Sequence, residues 1–266
     1  MFPMTDKTIG FIGFGNMAQA MAQGFLRGGV PGTSICACAK HWDKLQRTAG
    51  ELGVVPCQDS LEVLERSDLL VLAVKPYLIE EVLSPLRDKL EGKVVISVAL
   101  GWLFDRFEQA LPAGIHHLSI MPNTPVAIGE GVVLLEETHS LSQEEFTQTG
   151  ELLALLGTVE TVTAAQMGIA GTLSGCGPAY AAMFLEALGD AGVLHGLPRE
   201  VSYRLAAQML AGTGKLHLAT GRHPGAMKDA VCSPGGSTIR GVDALERHAF
   251  RSSVIDAITA AVGKEH

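Results

Sequence analysis

The sequence lacks a lysine- or arginine-rich block, a long apolar run and a Cys-x-x-C motif. With a net charge of −8, the missing basic block argues against nucleic acid and anionic membranes as partners. No apolar run reaches the length that spans a bilayer, and residues 1–7 lack the basic-then-apolar order of a signal peptide. We therefore expect a cytoplasmic protein with neither a nucleic-acid nor a membrane partner.

The nine histidines also show no spacing that is typical of metal ligands. His116 and His117 are neighbours in a predicted strand, where their side chains point in opposite directions. The five cysteines are odd in number, and only Cys36 and Cys38 are expected on one strand face. We expect reduced structural thiols and no bound metal.

A glycine-rich turn near the amino terminus indicates a nucleotide site. An apolar run predicts a buried strand up to Ile12, and Met17, Met21 and Phe25, four apart, predict one face of a helix. The turn between them reads Gly13-Phe14-Gly15-Asn16-Met17-Ala18. Its glycines permit a tight turn and a close approach of pyrophosphate, while the small Ala18 lets the helix pack on the strand. The free amides and positive end of the helix would face the phosphates.

Acidic residues are absent between Lys7 and Trp42. A site selective for NADH places a carboxylate on the adenosine ribose at the end of the second strand. Here a strand predicted over residues 34–39 is followed by Lys40 and His41. This favours NADPH, with NADH possible, although Lys40 is equally compatible with a solvated surface lysine.

Further apolar strands are predicted over residues 69–74, 93–98 and 117–121, with helices over 60–66 and 77–90 between them. This alternation predicts an α/β fold with a doubly wound parallel sheet, whose ligand crevice lies at the carboxyl ends of the strands. Those ends carry Lys75-Pro76, Ala99-Leu100-Gly101 and Pro122-Asn123-Thr124-Pro125. Each is consistent with a loop lining a cofactor or with an ordinary turn.

Two more strands are predicted over residues 131–136 and 157–162, after which the strand pattern ends. We place a domain boundary there, giving domains 1–162 and 163–266. The second domain is predicted to be all helical, with helices over residues 166–173, 179–192, 198–220, 224–231 and 238–262. Its many small and apolar residues predict helix packing between subunits, in a homodimer or higher homo-oligomer.

A second unusual stretch, Ser233-Pro234-Gly235-Gly236-Ser237-Thr238, precedes an apolar helical pattern. Such a turn presents unpaired amides and hydroxyls to a carboxylate. Simple N-capping of the helix by Ser237 or Thr238 explains the same residues equally well.

Together these stretches resemble pyrroline-5-carboxylate reductases. The resemblance rests on five motifs that occur in the family's order over nearly the whole chain. They are the glycine turn, Ala73-Val74-Lys75-Pro76, Met121-Pro122-Asn123-Thr124-Pro125, Leu173-Ser174-Gly175-Cys176-Gly177-Pro178-Ala179-Tyr180 and the stretch from Lys228 to Gly241. It implies a Rossmann domain, a helical dimerisation domain, and reduction of 1-pyrroline-5-carboxylate to L-proline by NAD(P)H, the last step of proline biosynthesis.

The resemblance also implies site residues. Those expected to bind the cofactor are Gly13, Phe14, Gly15, Asn16, Met17, Ala18, Lys40, Ser60, Ala73, Val74, Lys75, Pro76 and Ala99. Those expected to bind the substrate are Val231, Gly235, Gly236, Ser237 and Thr238. Thr238 is the expected catalytic residue, through a hydrogen bond from its hydroxyl to the ring nitrogen. Two departures are Cys176, where a serine is usual, and Ala230, where some members carry asparagine.

Other functions stay open at this point. A β-hydroxyacid dehydrogenase shares the outline but needs a lysine in the helix after a glycine-rich turn, and none follows Gly177 before Lys215. Another imine reductase, or a non-catalytic NADP-binding protein whose helical half is an interaction module, also fits the pattern.

Overall fold

The computed structural model describes residues 7–262, so the first six residues, in which we expect no signal peptide, lie outside it. Two compact units make up the chain, and they divide between Gly175 and Cys176. This division falls inside a helix, whereas our boundary after residue 162 follows the last strand. The boundary at 162 stays a prediction.

The first unit is built on one sheet with the strand order β3-β2-β1-β4-β5-β6-β7-β8. Strands β1 to β6 are parallel, β7 runs antiparallel to β6, and β8 is parallel to β7. The strands are β1 Ile9–Ile12, β2 Ile35–Cys38, β3 Val55–Pro56, β4 Leu69–Leu72, β5 Val94–Ser97, β6 His116–Pro122, β7 Gly131–Glu136 and β8 Gly157–Val162. The predicted doubly wound sheet is confirmed; only the two-residue β3, half of it proline, was not predicted.

Helices cover both faces of this sheet, which explains why its central strands are apolar throughout. Phe11 and Val71 face one layer, with the helices α1 Asn16–Arg27, α2 Trp42–Leu52 and α6 Gln143–Ala154. Leu70 and Val95 face the other, with the helices α3 Ser60–Arg66, α4 Ile79–Leu83 and α5 Phe104–Ala110. The two layers hold the strand ends rigidly at the edge where the candidate site lies.

One predicted helix of this unit is wrong. Instead of a helix over residues 77–90, the chain forms only α4, with single 3-10 turns at Pro76–Leu78 and Arg87–Lys89. Pro85 lacks an amide proton, so the Glu81 carbonyl four residues earlier loses its helical hydrogen bond and the regular helix ends here.

The helices that follow β8 are α7 Ala164–Leu194, α8 Arg199–Thr220, α9 Pro224–Ala230, α10 Ser237–Arg247 and α11 Phe250–Val262. Two predictions fail here. The separate helices over 166–173 and 179–192 are one continuous helix, α7, and the single helix over 238–262 is divided into α10 and α11. The division lies at Ala249, whose φ of 57° is left-handed without the glycine that usually signals such a break.

Pro178 does not break α7 because the carbonyl it leaves unpaired finds another donor. Proline has no amide proton, so Ser174, four residues earlier, loses its helical hydrogen bond. The Asn123 side chain supplies the replacement: Nδ2 donates to the Ser174 carbonyl at 3.0 Å. Oδ1 of the same amide accepts from the Val132 amide at 2.8 Å. Asn123 is therefore a structural residue.

The two histidines of β6 and Cys36 of β2 have structural surroundings. His116 contacts Glu145 at 2.6 Å and the buried His117 contacts Glu108 at 2.8 Å, on opposite sides of β6. Burial, with help from Cys57, raises the pKa of Cys36 to about 12, so this free thiol stays protonated. Within residues 7–262, no cluster of three or more His, Cys, Asp or Glu is arranged to hold a metal ion. Nor is any described helix long and apolar enough to cross a membrane.

Candidate active site

The start of α1 presents free amides at the carboxyl edge of the sheet. The first intrahelical hydrogen bond runs from the Gln19 amide to the Gly15 carbonyl at 3.0 Å, so the amides of Asn16, Met17 and Ala18 precede it. Gly15 caps the helix without a side chain, and no acidic residue lies in the first turn. The positive end of the helix dipole and the free amide donors therefore lie at the same place.

The two glycines of the turn have different surroundings. Gly13 has a φ of 91°, and a Cβ there would lie 2.7 Å from the Ala73 carbonyl oxygen. Its amide donates to the Cys38 carbonyl at 3.0 Å, which ties the turn to the end of β2. A Cβ on Gly15, by contrast, would have no described atom within 4 Å. Gly13 is needed by the fold, whereas the lack of a side chain at Gly15 leaves the backbone accessible to a ligand.

The neighbouring strands end level with this turn. Ile12 pairs with Cys38 on one side and with Leu72 on the other, and Leu72 pairs with Ser97. The strand order reverses between β1 and β4, which is where such sheets bind dinucleotides. The predicted cofactor residues that this edge brings beside the turn are Lys40, Ala73, Val74, Lys75, Pro76 and Ala99.

Lys40 and Ser60 occupy the outer part of the edge. Lys40 lies two residues after the end of β2, is exposed, and has no ion pair within residues 7–262. Ser60 opens α3, the helix that packs against β1 and β2. The region that would surround an adenosine ribose thus offers a cation at the end of β2.

Phe14 was expected to bind the cofactor, but its ring is turned into the core. The side chain is buried and contacts Phe11 edge-on, with 5.9 Å between the ring centroids. Its carbonyl accepts a hydrogen bond from Gln19 Nε2 at 2.7 Å. Only the backbone of Phe14 therefore belongs to the turn's outer surface.

In the second unit, the turn before α10 also presents free amides. Gly235 has a φ of 69°, and the Gly236 amide donates to the Ser233 carbonyl at 3.0 Å. The first hydrogen bond of α10 runs from the Arg240 amide to the Gly236 carbonyl at 3.4 Å. The amides of Ser237, Thr238 and Ile239 precede it and can bind a carboxylate.

The N-capping alternative for Ser237 and Thr238 is wrong. Gly236 is the N-cap, and no side chain caps this helix. Both hydroxyl-bearing residues are exposed in the first turn, and neither hydroxyl bonds to another described residue. Val231, also an expected substrate residue, is 65% exposed in the same segment. The hydroxyl of Thr238 is thus free to bond a ligand.

Sequence reasoning missed two residues beside these turns. Arg240 donates from a guanidinium nitrogen to the Gly235 carbonyl at 3.2 Å and places a cation at the α10 turn. Trp102 donates from Nε1 to the Pro76 carbonyl at 2.8 Å and so joins two of the strand-end loops. Arg240 lay inside the quoted motif, but no sequence pattern pointed to Trp102.

Known proteins match both units. A family described as NADP oxidoreductase coenzyme F420-dependent matches residues 8–101, and one described as pyrroline-5-carboxylate reductase dimerisation matches residues 164–266. The pyrroline-5-carboxylate reductase of Treponema pallidum is 43% identical over 96% of this chain and 98% of its own length. That of Escherichia coli is 36% identical over 97% of each chain. A crystal structure of the Plasmodium falciparum enzyme with NADP bound has a TM-score of 0.86 at 29% identity and covers 97% of each chain.

Proposed function

This chain belongs to the pyrroline-5-carboxylate reductase family, and we propose that it reduces 1-pyrroline-5-carboxylate to L-proline with NADPH as the final step of proline biosynthesis. It is an oxidoreductase that acts on a cyclic C=N bond. The observation that carries the substrate assignment is the start of α10, where free amides and an unpaired hydroxyl lie in adjacent positions. Those groups match a ring that carries both a carboxylate and an imine nitrogen.

The turn from Gly13 to Ala18 fits the pyrophosphate of a dinucleotide. Its free amides are donors for phosphate oxygens, and Gly15 has room for them because a Cβ there would meet nothing. When bound, NADPH supplies the hydride that reduces the imine carbon. The loops of residues 73–76 and 99–101 orient the cofactor at the carboxyl edge of the sheet.

The α10 turn holds the substrate. The free amides of Ser237, Thr238 and Ile239, beside the positive end of the helix and Arg240, anchor the carboxylate. The Thr238 hydroxyl donates a hydrogen bond to the ring nitrogen and polarises the C=N bond, so its carbon is electrophilic. As that carbon accepts the hydride, the nitrogen gains one proton from water. Positioning two reactants in this way requires no strong base.

The function is tested by following NADPH absorbance with 1-pyrroline-5-carboxylate, then with acyclic imines and 2-oxo acids. We expect oxidation with the cyclic imino acid and formation of one equivalent of proline. Preferred turnover of an acyclic imine would instead indicate another imine reductase. Saturable NADPH binding without turnover of any of these compounds would indicate a non-catalytic protein.

Lys40→Asp should raise the KM for NADPH about 10-fold and change the KM for NADH by much less. An aspartate at the end of β2 repels a 2′-phosphate, whereas it accepts a hydrogen bond from a 2′-hydroxyl. Steady-state kinetics with both cofactors measure the difference. Lys89→Asp is the control: it makes the same change in net charge on an exposed residue that precedes β5, towards the amino ends of the strands. Equal changes for both cofactors would show that Lys40 is a surface lysine.

The protein forms a homodimer or a higher homo-oligomer through the residues after about 163. Large apolar side chains are exposed along the helices of the second unit, among them Met183 at 68%, Leu205 at 59% and Leu218 at 72%. Within its described part, Ala206 is the only buried hydrophobic residue, so these helices have almost no core of their own. Sedimentation velocity at micromolar concentration should give a dimer or larger species. A stable, active monomer would refute this assembly.

The proposed location is the cytoplasm, with neither nucleic acid nor membrane as a partner. The net charge of −8 supports the exclusion of polyanions. Cell fractionation should recover the protein and its activity with the cytosolic enzymes, and recovery in the membrane pellet would contradict this location.

A further inference from the structure

Trp102, in the loop after β5, bonds to the loop after β4 and to the strand β6. Its indole Nε1 donates to the Pro76 carbonyl after β4 at 2.8 Å, and its own amide donates to the Ala99 carbonyl after β5 at 3.1 Å. Ser119 of β6 donates from Oγ to the Trp102 carbonyl at 2.8 Å. β4, β5 and β6 are neighbours in the sheet, so Trp102 ties the loop after β5 to the loop after β4 and to β6, at the edge where the cofactor residues lie.

The indole is held firmly enough to act as a fixed donor. Trp102 is 1% exposed, and its ring centroid lies 5.1 Å from that of Phe107. The guanidinium carbon of Arg106 lies 4.1 Å from the centre of the indole ring. With the ring enclosed in this way, its N–H points at a single acceptor, the Pro76 carbonyl.

The loop that receives this hydrogen bond needs an outside anchor. Lys75 and Tyr77 are exposed on either side of Pro76, Tyr77 to 79%. Backbone bonds hold the two ends of this stretch, from the Ala73 amide to the Ile12 carbonyl at 2.8 Å and from the Leu78 amide to the Lys75 carbonyl at 2.9 Å. Proline has no amide with which to pair the loop to its neighbour. The bond from Trp102 spans 26 residues and ties the Pro76 carbonyl to the loop after β5.

We infer that Trp102 is a positioning residue for the cofactor, holding the loop of residues 73–76 in the conformation that receives NADPH. This inference rests on the proposed function, in which that loop lines the cofactor. Trp102 itself takes no part in the chemistry. Phenylalanine fills most of the same space but has no N–H, so the role depends on one donor and can be separated from packing.

Trp102→Phe should raise the dissociation constant for NADPH about 5- to 20-fold, because apparent affinity falls with the fraction of molecules whose loop is competent to bind. At saturating NADPH, kcat should stay within about twofold of wild type, since bound cofactor restores the loop. Titration of NADPH fluorescence in the absence of substrate measures the dissociation constant. Amide hydrogen exchange across residues 73–78 should become faster in the variant.

Phe107→Leu is the matched control. It disturbs the packing of the same indole but leaves its hydrogen bond to Pro76 in place, so the melting temperature should fall while the NADPH dissociation constant stays within about twofold. An unchanged dissociation constant in folded Trp102→Phe would overturn the inference. So would an equal rise in both variants, since that would make Trp102 a packing residue only.

Ser119→Ala provides a second variant that acts on the same loop from β6. It removes the hydroxyl that bonds the Trp102 carbonyl, and we expect a rise of about 2- to 4-fold in the NADPH dissociation constant. If Trp102→Phe does not fold, Ser119→Ala becomes the test, and an unchanged NADPH dissociation constant in that variant overturns the inference. Binding is measured without 1-pyrroline-5-carboxylate, so absence of turnover in the wild type would refute the proposed function separately.

Discussion

Thr238→Ala should lower kcat about 10- to 100-fold, which corresponds to roughly 1.4 to 3 kcal/mol of transition-state stabilisation. The change removes the hydroxyl proposed to bond the ring nitrogen and leaves the amides at the start of α10 in place. Carboxylate binding should therefore be largely kept, and the loss should appear in kcat rather than in KM for the imine. NADPH affinity should hardly change, because the glycine turn that binds its phosphates is untouched. Stopped-flow or steady-state absorbance at saturating cofactor measures the effect.

Thr238→Ser is the matched control, since it restores the donor and loses only a methyl group. It should recover most of the rate. Since Gly236 is the N-cap and the Thr238 hydroxyl bonds no described residue, neither substitution should change the melting temperature much. If Thr238→Ala keeps the full kcat and differs from Thr238→Ser only in melting temperature, Thr238 is a structural residue and not a catalytic one.

Gly15→Ala should weaken NADPH binding about 10- to 100-fold without destabilising the protein. The added methyl group has no described atom within 4 Å, so the fold has room for it. It would instead occupy the space through which a pyrophosphate approaches the amides of α1. Calorimetric titration with NADPH and a thermal melt of the same sample separate the two effects. Unchanged affinity would contradict the placement of the pyrophosphate at this turn.

Gly13→Ala supplies the contrast, because it should lower both stability and binding. Its methyl group would lie 2.7 Å from the Ala73 carbonyl oxygen, at a φ of 91° that costs a non-glycine residue roughly 1 to 3 kcal/mol. Gly50→Ala, in the exposed part of α2 and also free of contacts, controls for a glycine replacement far from the turn. It should leave NADPH affinity within about twofold and keep or raise the melting temperature.

Motifs formed by adjacent residues were predictable from the sequence. The turn from Gly13 to Ala18 depends on a strand, two glycines and a helix start that follow one another directly, and the structure has all of them. The α10 turn was located for the same reason. The residue that caps its helix could not be predicted, because the choice among Gly236, Ser237 and Thr238 depends on where the first helical hydrogen bond forms.

Helix continuity was less predictable. Pro178 reads as a helix breaker, yet α7 passes through it because Asn123 pairs the carbonyl that proline leaves free. That donor lies 51 residues away from Ser174 in the chain, so no local pattern reveals it. The break at Ala249 similarly lacks the glycine from which a helix end could be predicted.

By itself the sequence determined the alternation of strands and helices, the parallel sheet and the two helix starts that can bind anions. These features depend on side-chain periodicity and on residues within a few positions of one another. Only the tertiary structure decided which strand ends are neighbours, that β7 runs antiparallel to β6, and that Trp102 bonds to Pro76 across two loops. These pairings join residues that are far apart in the sequence. Only the packing of the whole sheet brings the donor and the acceptor together, so no single segment predicts them.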